Sequence, residues 1–125
     1  MTPDEILKVD AARNHPPGTT VEDLRGQINK QIMRGGHVVK EGNVLLVFRG
    51  ASPGVVVFHP FNAGTSYDLI KAVKALIAML KKAGAKTLRT YYTNPAVSTL
   101  FESAAQQFDI SITKQNGAFV ADVRL

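Results

Sequence analysis

The chain has 125 residues and no cysteine, which is one domain's worth of polypeptide and excludes disulfide frameworks, thiolate metal sites and a thiol nucleophile. Hydrophobic residues at 45% and charged residues at 20% suit a globular chain with a core of its own and exclude a disordered or collagen-like one. Fifteen Lys and Arg against ten Asp and Glu leave a formal net charge of +5, which favours anionic partners without choosing among them.

The first ten residues carry charges at Asp4, Glu5, Lys8 and Asp10 and hold no uninterrupted apolar stretch, so no secretory signal is expected and a cytoplasmic setting is. A short helix over Pro3 to Arg13 stops at Asn14-His15-Pro16-Pro17-Gly18, a run that neither helix nor strand interiors tolerate and that reads as a hinge. This places residues 1–19 as an N-terminal arm on a single domain of 1–125. Thr20 followed three residues later by Asp23 resembles a capping box, and Val21, Leu24, Ile28 and Ile32 then recur at helical spacing until Gly35-Gly36.

Three Val- and Phe-rich segments follow, His37 to Lys40, Val44 to Arg49 and Val55 to Phe61, separated by Gly- and Pro-containing turns. They predict an antiparallel meander. The second and third are continuously apolar rather than alternating, so both faces of the sheet should be covered by helices. Thr65 to Ala83 predicts the longest helix: Thr65 and Asp68 form a capping box, Leu69, Val73, Leu76 and Leu80 share one face, and Gly84 closes it. Lys71 and Lys74 interrupt its apolar stretch, which is too short to span a bilayer, so no membrane contact is expected. Thr87 to Tyr92 reads as a strand, Asn94-Pro95 opens a helix to about Gln106, and Ile110 to Thr113 with Ala118 to Arg124 form a hairpin around Asn116-Gly117.

This order, together with Asn94-Pro95-Ala96-Val97-Ser98-Thr99-Leu100-Phe101-Glu102, resembles the GNAT family of N-acetyltransferases, whose chains carry an Asn followed at matching spacing by Ala or Val and then Leu-Tyr-Glu. The resemblance covers roughly Thr20 to Leu125, with the family's first strand poorly represented before it. It implies a mixed α+β or α/β fold: a mixed sheet with an antiparallel meander, a long central helix, a second helix and a C-terminal hairpin. It also implies acetyl-CoA as cofactor, held between parted strands 55–61 and 87–92, and a small-molecule or protein amine as acceptor. Direct attack by an amine needs no protein nucleophile, so the absence of cysteine is compatible with it.

On this resemblance the cofactor side comprises Val57, Phe58, Asn62, Ala63, Gly64, Thr65, Ser66, Asn94 and Phe101. In the family, a basic residue or Gln and a spaced pair of small residues place backbone amides around the pyrophosphate. The matching run, Phe61 to Tyr67, has one Gly and no basic residue, and Thr65 and Ser66 have the competing task of capping their own helix. Asn94 likewise is either a contact to the cofactor arm or an N-cap. Many family members place a Tyr where Phe101 stands, to protonate the departing thiolate; phenylalanine cannot, so that role is absent unless Tyr91, Tyr92 or Tyr67 substitutes, and Tyr92 is the choice here. His59, on the strand before the loop, is the base candidate, against the alternative of a sheet-edge or partly buried histidine with no catalytic task.

Lys71, Lys74, Lys81 and Lys82, with Lys86 and Arg89 nearby, form either a solvated helix face or a surface for phosphates or nucleic acid. His15, His37 and His59 lack metal-ligand spacing, and no metal is expected. Beside the enzyme stands a non-catalytic alternative, a scaffold for assembly or protein interaction; minimal domains of this style resemble bacteriophage-encoded virion proteins, whose partners are other virion or host proteins.

Overall fold

The computed structural model describes residues 1–125 and contains α1 (Pro3–Asn14), α2 (Val21–Met33), β1 (His37–Glu41), β2 (Val44–Ser52), β3 (Val55–Asn62), α3 (Ser66–Lys82), β4 (Thr87–Tyr92), α4 (Pro95–Ala104), β5 (Asp109–Gln115) and β6 (Ala118–Arg124). The element order is the expected one, and the mixed α/β architecture is confirmed. No strand precedes α1.

Three helices start the same way. Thr2 with Glu5, Thr20 with Asp23 and Thr65 with Asp68 each form a reciprocal capping box, satisfying two otherwise orphaned backbone donors at α1, α2 and α3. At the other end of α3, Gly84 takes φ +87, a conformation that costs glycine nothing. There the Gly84 and Ala85 amides return to the carbonyls of Lys81 and Leu80, a Schellman ending.

The six strands lie in the order β1-β2-β3-β4-β6-β5. Neighbouring strands are antiparallel except β3 and β4, which run parallel through the α3 crossover. Along β2 successive side chains alternate between faces. Val44 and Leu46 join Phe58, Leu88, Val123 and the apolar face of α3, while Leu45 and Val47 join Phe61 and the apolar faces of α1 and α2. The uninterrupted run Val44 to Val47 thus reports two cores, one on each side of the same strand.

Residues 1–19 contribute to the second core through Ile6, Leu7 and Ala11, all buried. The run expected to act as a hinge is tied down instead: the His15 ring lies 2.7 Å from the buried Asp10 carboxyl and 6.4 Å from the Phe61 ring, and Thr19 N–H donates to the Pro16 carbonyl. Proline stops the helix, as read from sequence, but the side chain beside it anchors the turn.

One seam is incomplete. β2 pairs with β3 from Val44 opposite Asn62 to Ser52 opposite Val55, whereas β3 pairs with β4 only from Val55 to Val57, against Thr87 to Arg89. Beyond these three pairs the two strands part, and the sheet opens between 58–62 and 90–92. No helix is long and apolar enough to cross a membrane.

Candidate active site

The gap between β3 and β4 has a different chemistry on each side of the sheet. Register places Val57, His59 and Phe61 of β3 on the face that α1 and α2 cover, together with Arg49 of β2 and Arg89 and Tyr91 of β4. Phe58 and, on β4, Thr90 and Tyr92 point to the face of α3 and α4. His59 and Tyr92, the two expected catalytic residues, therefore stand on opposite sides of the sheet, each on a lip of the opening.

His59 is exposed on its outer side while protein crowds it from below, with its ring 4.9 Å from the edge of Phe61. This crowding pushes its pKa below the ordinary 6.5; the Asp10 carboxylate works in the opposite direction and His15 adds to the depression. At neutral pH the imidazole is therefore a free base with access to solvent. Tyr92 stacks on Phe119 at 5.2 Å and lies 5.6 Å from Phe101, and its hydroxyl is 2.8 Å from Ser98 Oγ. The ring of Phe101 thus packs against the tyrosine expected to replace it as a proton donor. Of the other tyrosines, Tyr67 lies well exposed in the first turn of α3 and Tyr91 faces the opposite side from Tyr92.

The loop from Asn62 to Thr65 is held from several directions. Asp10 Oδ1 accepts from the Asn62 amide at 3.0 Å, Asn62 Oδ1 accepts from the Gly64 amide at 2.8 Å, and Arg13 Nη1 donates to the Gly64 carbonyl at 2.8 Å. Ala63 is buried and its amide donates to the Asn43 carbonyl. Thr65 Oγ1 accepts from the Asp68 amide, and the Asp68 carboxylate accepts from the Thr65 amide at 2.8 Å. These bonds leave the first-turn amides of Ser66 and Tyr67 without a partner in the protein. At α4, Asn94 Oδ1 accepts from the Ala96 amide at 3.0 Å, so Asn94 is an N-cap in this structure.

Two cavities lie on opposite faces of the sheet. One, of about 360 Å³, lies between α3 and α4 and is lined by Ser66, Tyr67, Lys71, Lys74, Leu100 and Ser103. The other, of about 460 Å³, lies on the opposite face under α2 and includes His59, Tyr91, Phe61 and Arg49 in its wall. Of the basic face read on α3, Lys71 and Lys74 reach the first cavity, while Lys81 and Lys82 stay outside both. No group of three or more His, Cys, Asp or Glu side chains is placed to hold a metal ion.

The overall shape is shared with solved structures. A ribosomal-protein-alanine N-acetyltransferase from Brucella melitensis superposes with a TM-score of 0.62 over 97% of this chain and 93% of its own, at 14% identity. An N-acetyltransferase from Staphylococcus aureus Mu50 does so with a TM-score of 0.57 over 99% and 94%, at 15% identity. The chain has the GNAT fold. No protein-family model and no curated protein sequence matches it.

Within the GNAT fold, the expected cofactor loop departs from the family pattern in a way the geometry explains. A Cβ built on Gly64 would lie 2.2 Å from Asp68 Oδ2, so this glycine makes room for the capping carboxylate of its own helix. That carboxylate sits where a helix N-terminus would otherwise attract an anion. The anion-binding capacity of this face lies one turn further on, in the open Ser66 and Tyr67 amides and the ammonium groups of Lys71 and Lys74. Sequence reading placed these lysines on a solvated face or a phosphate surface but did not place them beside the loop. It missed Asp10, whose signal was a carboxylate on the buried face of a short helix, and it missed the cations that α2 and β2 bring to the second cavity.

Proposed function

We propose that this chain transfers an acetyl group from acetyl-CoA to an amine. The observation that carries the reading is the gap in the sheet: past Val57 the β4-facing edge of β3 has no strand partner, with a cavity of anion-binding groups between α3 and α4 on one face of the sheet and a cavity with a free imidazole on the other. Unpaired strand-edge groups accept an extended polar chain as an added strand would be accepted. Ser66 and Tyr67 amides with Lys71 and Lys74 suit phosphate groups. The residues present therefore fit a long phosphorylated thioester carrier, with Val57 and Phe58 on one lip of its channel and Phe101 and Tyr92 behind it.

When bound, acetyl-CoA supplies an acyl carbon activated by its thiol leaving group. His59 accepts the proton that the amine sheds as its bond to the acyl carbon forms. The Tyr92 hydroxyl donates a proton to the sulfur released as the carbon–sulfur bond breaks, and solvent restores both side chains. Ser98, bonded to the Tyr92 hydroxyl, orients that donor.

Isothermal titration of the full chain with acetyl-CoA, followed by an assay for free thiol in the presence of amines, tests the reading. Binding at micromolar concentrations with amine-dependent thiol release is expected. A second reading, a non-catalytic scaffold for assembly or protein contact, is favoured by the Asp68 carboxylate at the start of α3 and by Phe101. Absence of heat at saturating acetyl-CoA selects it over the enzyme.

A further inference from the structure

The cavity under α2 has an uneven charge. Its wall includes Lys30 from the last turn of α2, Arg34 capping that helix and Arg49 from β2, and it includes no Asp or Glu. None of the three cations has a carboxylate partner anywhere in the protein, although Arg25 of α2 and Arg89 of β4 do. Arg25, in the N-terminal half of α2, is paired with Asp4 and Glu22. Arg89, on the same sheet face as Arg49, holds Asp122 through two bonds of 2.7 and 3.0 Å.

Arg49 is the most informative of the three. It follows the apolar run of β2, is half-buried, and its side chain makes no hydrogen bond or ion pair within the protein; no polar side-chain atom is buried without a partner, so its guanidinium reaches the solvent of the cavity, open to an anion. Lys30 and Arg34 have a partial explanation in the negative end of the α2 dipole, equivalent to about half a charge, which leaves most of the positive charge uncompensated. The rest of the wall is mostly apolar, with Val47, Val57 and Phe61 beneath and Ile28 above, and its other polar side chains, among them Gln27, Gln31 and His59, carry no negative charge. A cavity of about 460 Å³ is of small-molecule size. His59 lies in the same wall, so an amine at His59 and an anionic group at Arg49 can belong to one molecule with a short apolar stem.

We propose that this cavity binds an acceptor amine that itself carries a carboxylate or a phosphate. The role of that molecule as acceptor rests on the acetyl-transfer reading above; the binding site does not. The shared chemistry is an anionic head matched to a planar guanidinium and two further cations, with no competing carboxylate in the wall.

The test measures binding to the full chain by isothermal titration without acetyl-CoA, using phosphoethanolamine against ethanolamine and β-alanine against its amide. The anionic member of at least one pair is expected to bind roughly tenfold tighter than its neutral counterpart, and the pair showing the preference identifies the head group as phosphate or carboxylate. Arg49→Gln and Arg34→Gln should each remove most of that preference, while Lys82→Gln, which deletes the same charge outside the cavity, should leave it intact. Equal affinity within both pairs, no binding of any of the four, or an equal effect of Lys82→Gln overturns the proposal. A protein that binds the anionic amine yet acetylates nothing keeps this site and loses the acetyl-transfer reading. One that acetylates both members of each pair with equal kcat/KM keeps acetyl transfer and loses this site.

Discussion

At the scale of single residues, His59 and Tyr92 make separable predictions because they face opposite sides of the sheet. The folded state holds the His59 pKa below 6.5, so the unfolded chain binds more protons there than the native one. This contribution makes stability rise as pH is raised through the interval between the depressed value and 6.5, and fall as pH drops through it. Activity follows the same direction: a base must be unprotonated, so kcat/KM should decline on the acid side with a midpoint below 6.5. His59→Gln should remove that acid limb and lower kcat about a hundredfold, the usual scale for losing a general base; a pH–rate profile unchanged in shape would reject the assignment. Tyr92→Phe keeps the ring stacked on Phe119 and deletes only the hydroxyl bonded to Ser98. It should cost about 1 kcal/mol of stability, measured by urea denaturation, and lower kcat without changing the acid limb.

At the scale of elements, α1 is more than an appendage, because Asp10 couples it to the loop that precedes α3. Its carboxyl is almost wholly buried, at 2% exposure, and gathers the Asn62 amide, the Asn14 side chain and the His15 ring. Asp10→Ala leaves all three without that partner inside the second core and should destabilise the fold by about 3 kcal/mol. In urea, the midpoint is expected to fall while the slope of the transition stays unchanged; a loss within experimental scatter of zero would show that the loop holds its place without α1. The sequence announces most elements through local chemistry: Thr with Asp three residues on marks the starts of α2 and α3, and Asn116-Gly117, with both residues at positive φ, turns the last hairpin; the same signal at Thr2 and Glu5 of α1 went unread. The packing role of α1 was not legible in the same way. Its buried face places Asp10 among Ile6, Leu7 and Ala11, and an acidic residue on that stripe hides the helical pattern that Leu24 and Ile28 display on α2.

At the scale of the whole molecule, the sheet is two three-stranded halves, β1-β2-β3 and β4-β6-β5, that meet through three residue pairs and the α3 crossover. The continuous apolar runs made the covered strands legible, and the cofactor resemblance pointed to their separation. The second cavity was not legible, since Lys30, Arg34, Arg49, His59 and Tyr91 come together only once α2 lies over β2 and β3 and β4 joins across the seam. The same geometry gives the gap a distinctive thermodynamic signature. A ligand lying between the parted strands contacts both halves, so it should stabilise their junction as a unit; at about one hundred times its Kd, linkage supplies about 2.7 kcal/mol, or roughly 10 °C in Tm for a chain of this length. A Tm shift alone does not locate the ligand, because anion binding at Lys71 and Lys74 would raise Tm as well. Amide hydrogen exchange separates the two: acetyl-CoA in the gap slows exchange in both lips, within 58–62 of β3 and 90–92 of β4, whereas an anion held only at the surface of α3 slows exchange in the first turn of that helix and leaves the lips as they were. Protection confined to α3 would therefore show that the opening in the sheet is not the cofactor channel, even if acetyl-CoA binds.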